Sequence, residues 1–156
     1  VSPQSPFKEK NTLMENHHRL AMVQLAIEDK SNLKACTEEF DLPSPNYTIN
    51  TLVHLKKKYP QYQFTLLLGQ DNIMHFDRWK AYRQILEQFQ LYVYPRTHPN
   101  KIPALLLNHS NIIYFKASLL NVSATEIRNA LENKKLLADL LPQKIQDYIR
   151  KFNLYQ

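Results

Sequence analysis

The stretch Phe64-Thr65-Leu66-Leu67-Leu68 runs without the apolar/polar alternation of a strand that has one wet face. A continuous apolar run of this length, followed by Gly69-Gln70-Asp71, suits a parallel strand buried on both faces. Leu91-Tyr92-Val93-Tyr94, closed by Pro95, and Asn111 to Phe115 read as two further strands. Helical patterns over Asp71–Phe76 and Ala81–Phe89 separate the first from the second. Strands that alternate with helices imply βαβ units, right-handed crossovers and a mostly parallel sheet. The fold class expected is therefore α/β, three-layered, with at least these three strands parallel.

The flanking segments read as helices and loops. A helix is expected from Leu13 to about Asp29, capped by Asn11 or Thr12, with Leu13, Leu20, Met22, Val23, Ala26 and Ile27 on its buried face. Lys34 to Thr37 is a short strand candidate and Cys36 on it a small core residue. Asn46 can cap a helix over Tyr47–Tyr59 that buries Ile49, Leu52 and Val53 and ends at Pro60. Thr97 to Pro103 reads as loop, and Ser123–Lys134 and Pro142–Phe152 as the last helices, with Pro142 in the first turn. The run Lys56-Lys57-Lys58 belongs on a solvated face.

A chain of 156 residues, 44% hydrophobic and 22% charged, is the size of one globular domain spanning 1–156. No apolar run approaches the roughly 20 residues of a membrane helix. One cysteine excludes an internal disulfide framework and a cysteine-built metal site, which points to a reducing cytoplasm. A formal charge of +6 favours anionic partners. One glycine, where average composition gives roughly 11, excludes a Gly-rich phosphate loop within this chain. The opening Val1-Ser2-Pro3 reads as the exit of a strand into a loop, so the natural protein is expected to begin earlier.

Ligands of open α/β sheets bind beyond the carboxyl ends of the strands. The residues there are Lys8, then Gly69 and Asp71, then Arg96, then Ser123 to Arg128. Cations, a carboxylate and hydroxyls at a helix start suit a phosphorylated, hydroxyl-bearing ligand such as a nucleotide. Ser123, Thr125 and Arg128 offer donors to phosphate at a helix N-terminus, while Ser123 with Glu126 equally makes a capping box that needs no ligand. Asp71 either caps the next helix or accepts from ribose hydroxyls or an amide, and Gly69 permits close approach to the backbone. Trp79, the single tryptophan, either packs in the core or stacks on a flat heteroaromatic ring. His17 and His18 lie about 100° apart on a helix and do not converge on a metal.

Taken in order, Ser2-Pro3 with Phe7-Lys8, Asn46 to Leu52, Gly69-Gln70-Asp71-Asn72, Trp79, Arg96 and Val122 to Arg128 resemble the bacterial nicotinate-nucleotide adenylyltransferases. The resemblance covers essentially the whole chain. It implies a Rossmann-like nucleotidyltransferase fold, and a reaction of ATP with nicotinate mononucleotide that gives deamido-NAD and pyrophosphate. It implies ATP-phosphate binding by Ser123, Thr125 and Arg128, with Ala124 where serine is common. Tyr47, Thr48, Gly69, Asp71 and Trp79 fall where the family holds the nicotinate nucleotide, with Trp79 near the pyridine. Lys8 and Arg96 fall where cations near phosphate are expected. Asn50 replaces a more usual aspartate.

One departure is large. The family's Gly-x-Phe-x-Pro-x-His-x-Gly-His stretch, whose histidines stabilise the transferring phosphoryl group, does not occur in this chain. The expectation is that the family's first strand and helix lie before Val1, and that the polypeptide beginning at Val1 is not a competent enzyme. The strand's slot would then be filled by that missing segment or by a second copy of the chain. The chemistry expected is in-line attack of a mononucleotide phosphate on the ATP α-phosphorus, with Mg²⁺ held mainly by ATP phosphates and water and no protein metal cage. Three other functions fit parts of the pattern: an adenylyltransferase for another phosphorylated acceptor such as phosphopantetheine, a non-catalytic nucleotide binder, and a nucleic-acid-binding module. Trp79 and Tyr47-Thr48 argue for a flat-ring acceptor. No basic helix interleaved with aromatics favours nucleic acid.

Overall fold

A computed structural model describes residues 1–3, 14–96, 102–119, 123–133 and 141–155. Its centre is a three-stranded parallel sheet in the order β1-β2-β3, formed by β1 (Thr65–Gly69), β2 (Gln90–Tyr94) and β3 (Ile112–Tyr114). Leu67 pairs with Tyr92, Gly69 with Tyr94, and Tyr92 with Ile113. The α/β class and the parallel arrangement of the three strands are thus as the apolar runs indicate.

Helices in chain order are α1 (Asn16–Ile27), α2 (Thr48–Lys58), α3 (Gln70–Ile73), α4 (Tyr82–Gln88), α5 (Ala104–Leu107), α6 (Ala124–Glu132) and α7 (Gln143–Lys151). Short 3₁₀ turns cover Glu38–Phe40 and Phe76–Arg78. Leu68, Leu91, Val93 and Ile112 point from one sheet face into a core shared with Ile49, Leu52, Ile73, Phe76, Ile85 and Leu106. A second cluster is built by Ile145, Ile149 and Leu154, with Met14, Met22 and Leu25 of the first helical segment against it.

Several expectations change. The strand at Phe64–Leu68 is not buried on both faces: Leu67 is 60% exposed, and Tyr92, Ile113 and Phe115 beside it are exposed too. Alternate side chains of a strand point to opposite faces, and among the described residues it is the face carrying Leu66 and Leu68 that meets the core helices. Lys34–Thr37 is not a strand, and Cys36 is exposed. A four-residue extended segment needs a ladder partner, and among the described residues its backbone bonds are one from the Val1 ammonium to the Cys36 carbonyl (2.7 Å) and one from Phe40 N to the Thr37 carbonyl (2.9 Å).

Val53 is 40% exposed and Val23 38%, and Ala26 is exposed, whereas Leu25 packs. Each valine sits next to the stripe its helix actually buries, since adjacent residues differ by about 100° around the axis. Tyr47 rather than Asn46 is the N-cap of α2; buried Asn46 instead donates from Nδ2 to the Glu39 carbonyl (2.9 Å). Pro142 is the N-cap residue of α7, one position before the first turn. The four-residue helix α5 arises from Ala104-Leu105-Leu106-Leu107, a run too short for periodicity to type. The caps proposed at Asn11 and Thr12, the start at Leu13 and the end at Lys134 lie outside the described residues.

Candidate active site

The carboxyl ends of β1 and β2 bring the first group of residues together. Gly69 ends β1, and Asp71 lies in the helix that begins directly after it. Tyr94 ends β2 in register with Gly69, and Arg96 follows two residues later. Arg96 Nε lies 3.5 Å from Asp71 Oδ1, and its guanidinium stacks 5.4 Å from the Tyr94 ring centroid.

Gly69 has φ −75° and ψ 153°, a conformation any residue adopts. Its role is space. A Cβ there would collide with Asp71 Oδ1 and stand 3.2 Å from Tyr94 Oη and 3.3 Å from Arg96 Nε. The nearest atom to the space a Cβ would take is thus a carboxylate oxygen of the chain itself. Because Arg96 meets Asp71 through Nε, the guanidinium keeps further donors for an anion.

A second group surrounds the start of α2. Tyr47 and Trp79 are half-buried and both pack on the sheet core. Trp79 stands 5.2 Å from the Phe76 ring. Lys80, next in the chain, places its ammonium 4.2 Å from the Tyr47 ring centroid. Thr48 opens the helix, which has no acidic residue in its first turn.

Behind Tyr47 the chain is anchored by carboxylates. Glu38 accepts from Lys58 Nζ (2.7 Å), from Tyr59 Oη (3.1 Å) and from His54 Nε2 (2.8 Å). An ionised carboxylate only accepts, so the His54 ring carries its proton on Nε2 in this bond. The Lys58 ammonium, then the His54 bond, hold the Glu38 carboxyl down at about 2, and the same Glu38 bond raises Lys58. Glu39 Oε1 accepts from Thr51 Oγ1 (2.7 Å). These bonds tie the 3₁₀ turn to α2 and so fix where Tyr47 and Thr48 stand.

The third group is the start of α6. Ser123 is its N-cap with a complete capping box: Glu126 N donates to Ser123 Oγ (3.1 Å) and Ser123 N to Glu126 Oε2 (2.7 Å). Arg128 Nη2 donates to Thr125 Oγ1 (3.2 Å). The two hydroxyl oxygens act as acceptors in these bonds, so their own protons remain available to a phosphate. The bland and the functional readings of Ser123 are therefore compatible. This helix packs through Leu131 on the second cluster, and Arg128 lies near enough to Tyr155 to oppose the upward push that burial gives its phenol.

Lys8 and Val122 lie outside the described residues. Tyr94 and Lys80 were not singled out from sequence. The signals available were the position of Tyr94 two residues before Arg96 and that of Lys80 beside Trp79. Among the described residues no group of three or more His, Cys, Asp or Glu could hold a metal ion. No described helix is long and apolar enough to cross a membrane. A cleft of about 260 Å³ lined by Tyr82, Leu86, Glu87 and His109 lies elsewhere, where the chain enters β2 and β3. It is at the wrong end of the sheet for the ligand site of an open α/β fold.

Residues 1–130 match the model of the cytidylyltransferase-like family. A protein of Flavobacterium psychrophilum named "Probable nicotinate-nucleotide adenylyltransferase" is 44% identical over 156 residues, all of this chain and 81% of that one. A protein of the same name from Christiangramia forsetii is 41% identical over 156 residues, all of this chain and 80% of its own. Among solved structures, the nicotinic acid mononucleotide adenylyltransferase of Plasmodium falciparum complexed with NaAD superposes with a TM-score of 0.78. It is 22% identical, over 99% of this chain and 80% of that one. A structure titled as a Vibrio parahaemolyticus nicotinate-nucleotide adenylyltransferase gives a TM-score of 0.68 at 22% identity, over 94% of this chain and 74% of that one. At these identities the structural likeness speaks for the fold.

Proposed function

The chain belongs to the cytidylyltransferase-like family and within it to the nicotinate-nucleotide adenylyltransferases, and from this we propose that its sheet edge binds nicotinate mononucleotide and ATP and joins them into deamido-NAD. The observation that carries the reading is the 44% identity to a relative of that name along all 156 residues. The activity belongs to NAD biosynthesis, and a cytoplasmic location fits it.

In the reaction a phosphate oxygen of the mononucleotide attacks the ATP α-phosphorus. A new P–O bond forms as the α–β bridge breaks, and the electron pair leaves on pyrophosphate. The protein's work is to align two anions and to balance charge on the phosphoryl oxygens. Arg96, held by Asp71 and backed by Tyr94, presents its remaining donors at the carboxyl end of β2. Ser123, Thr125 and Arg128 supply two hydroxyl protons and a guanidinium to the ATP phosphates. Lys8 adds a further cation in this reading. Tyr47, Thr48, Gly69 and Asp71 hold the nicotinate nucleotide, and Trp79 offers its ring to the pyridine.

Mg²⁺ would be held by the ATP phosphates and would supply charge neutralisation there. The donor set fits that role, because the carboxylates of the site already have partners, Asp71 in Arg96 and Glu126 in the Ser123 N–H.

The test is product formation by the full-length protein from ATP and nicotinate mononucleotide, with phosphopantetheine as the rival acceptor. Deamido-NAD and stoichiometric pyrophosphate are expected. Turnover of phosphopantetheine alone would refute the assignment.

A further inference from the structure

Arg19, on α1, is half-buried and has no carboxylate within ion-pair distance among the described residues. Its guanidinium bonds the chain itself. Nε donates to the Met14 carbonyl (2.9 Å), Nη1 to the Ser2 carbonyl (2.7 Å), and Nη2 to the Pro3 carbonyl (3.1 Å) and to Asn16 Oδ1. A guanidinium has five N–H donors, and four of these are engaged. Bonds from a charged donor are stronger than neutral ones, and a fork of them fixes direction as well as distance. A residue so occupied has little left for a ligand. What it does is hold one part of the fold against another.

Met14 and Asn16 belong to the first helical segment, which packs through Met14, Met22 and Leu25 on the second cluster. Ser2 and Pro3 stand 17 and 16 positions before Arg19. The same cluster carries α6 through Leu131. No described residue of α6 is fully buried, so the place of this helix depends on that cluster. Beyond α7, Leu154 N donates to the Ile149 carbonyl (3.0 Å) and its side chain is buried on the cluster. Tyr155 follows with φ 62°, a region that a bulky residue seldom enters. Burial pushes its phenol up, and Arg128 and Arg19 both oppose that rise. The fork and the start of α6 are thus neighbours across Tyr155.

We infer that Arg19 is a positioning residue for the ATP site: its fork docks the cluster that carries α6 on the Ser2-Pro3 backbone, and so holds Ser123, Thr125 and Arg128 where phosphate meets them. The inference rests on the proposed binding of ATP phosphates by those three residues. Geometry, and not charge, is what Arg19 supplies here. Lysine keeps the charge, but its donors radiate from one atom and cannot reproduce the planar fork.

ATP binding is measured by calorimetric titration, and nicotinate mononucleotide binding by Trp79 fluorescence, in the full-length protein and its Arg19→Lys variant. A urea unfolding curve shows that each is folded. Trp79 and Tyr47 pack on the sheet core and not on the second cluster. Arg19→Lys should therefore weaken ATP roughly tenfold and the mononucleotide less than about twofold. Added to Arg128→Ala, it should cost only about threefold or less, because residues that act through one another are not additive. Unchanged ATP affinity in a folded Arg19→Lys variant overturns the inference, as does an equal loss for both ligands or full additivity with Arg128→Ala. Should Arg19→Lys not fold, Asn16→Ala, which removes one bond of the fork at an exposed position, carries the test. ATP affinity should then fall about threefold, and an unaltered value overturns the inference. Failure of the unmodified protein to bind ATP is a different result: it removes the ATP reading of α6, and the role of Arg19 with it.

Discussion

Gly69→Ala separates a site that needs space from one that needs backbone freedom. At φ −75° and ψ 153° alanine costs nothing conformationally, and it restricts the unfolded chain, a gain of about 0.4–1 kcal/mol. The new methyl collides with Asp71 Oδ1, and the carboxylate must swing away from Arg96. The two side chains are 52% and 37% exposed, so losing their pair costs only ~0.2–1 kcal/mol. The opposing contributions nearly cancel, and stability should change by less than about 1 kcal/mol. Binding should not be spared. With Asp71 displaced and Arg96 released, a charge-assisted hydrogen bond worth ~1.5–3 kcal/mol is lost, an affinity drop of about 10- to 150-fold. The assay is a Trp79 fluorescence titration with nicotinate mononucleotide, beside a urea unfolding curve of the same variant. Unaltered affinity would refute the role given to this cluster. A stability loss beyond about 2 kcal/mol would show that Gly69 serves packing instead.

Three further outcomes are expected. Arg128→Ala should weaken ATP binding by ~1.5–3 kcal/mol, read by calorimetric titration, and unchanged ATP affinity would count against the α6 assignment. Trp79→Ala should raise the KM for nicotinate mononucleotide, and an unaltered KM would remove Trp79 from the pyridine. The third concerns pH. Glu38 is held at about 2 against ~4.3 in an unfolded chain, so the unfolded state binds more protons between those values. Its stabilisation is fully present above that window and is lost as pH falls towards 2; Glu38→Gln should flatten this part of a stability–pH curve measured by denaturant unfolding.

What the sequence by itself determined is local in origin. Apolar runs at Phe64–Leu68 and Leu91–Tyr94, broken by Gly69 and Pro95, mark parallel strands because burial and turn chemistry act over a few neighbouring residues. Ser123 and Glu126 three residues apart form a capping box for the same reason. The order of weak motifs also sufficed to indicate the family. Tertiary structure alone decided which faces are covered and which side chains meet. Leu67 and Leu68 are identical in sequence terms, yet one is 60% exposed and the other buried, because the described core helices pack on the side of the strand that carries Leu68. Cys36 and Val53 are small apolar residues that are exposed all the same. Gly69 and Tyr94 are 25 positions apart and adjacent only through the register of β1 on β2. Lys80 reaches Tyr47 across 33 positions, by a turn whose left-handed Ala81 no propensity foretells. Such contacts depend on crossover geometry and ladder register, which are set by the summed burial of the whole core and not by the residues that the register brings together.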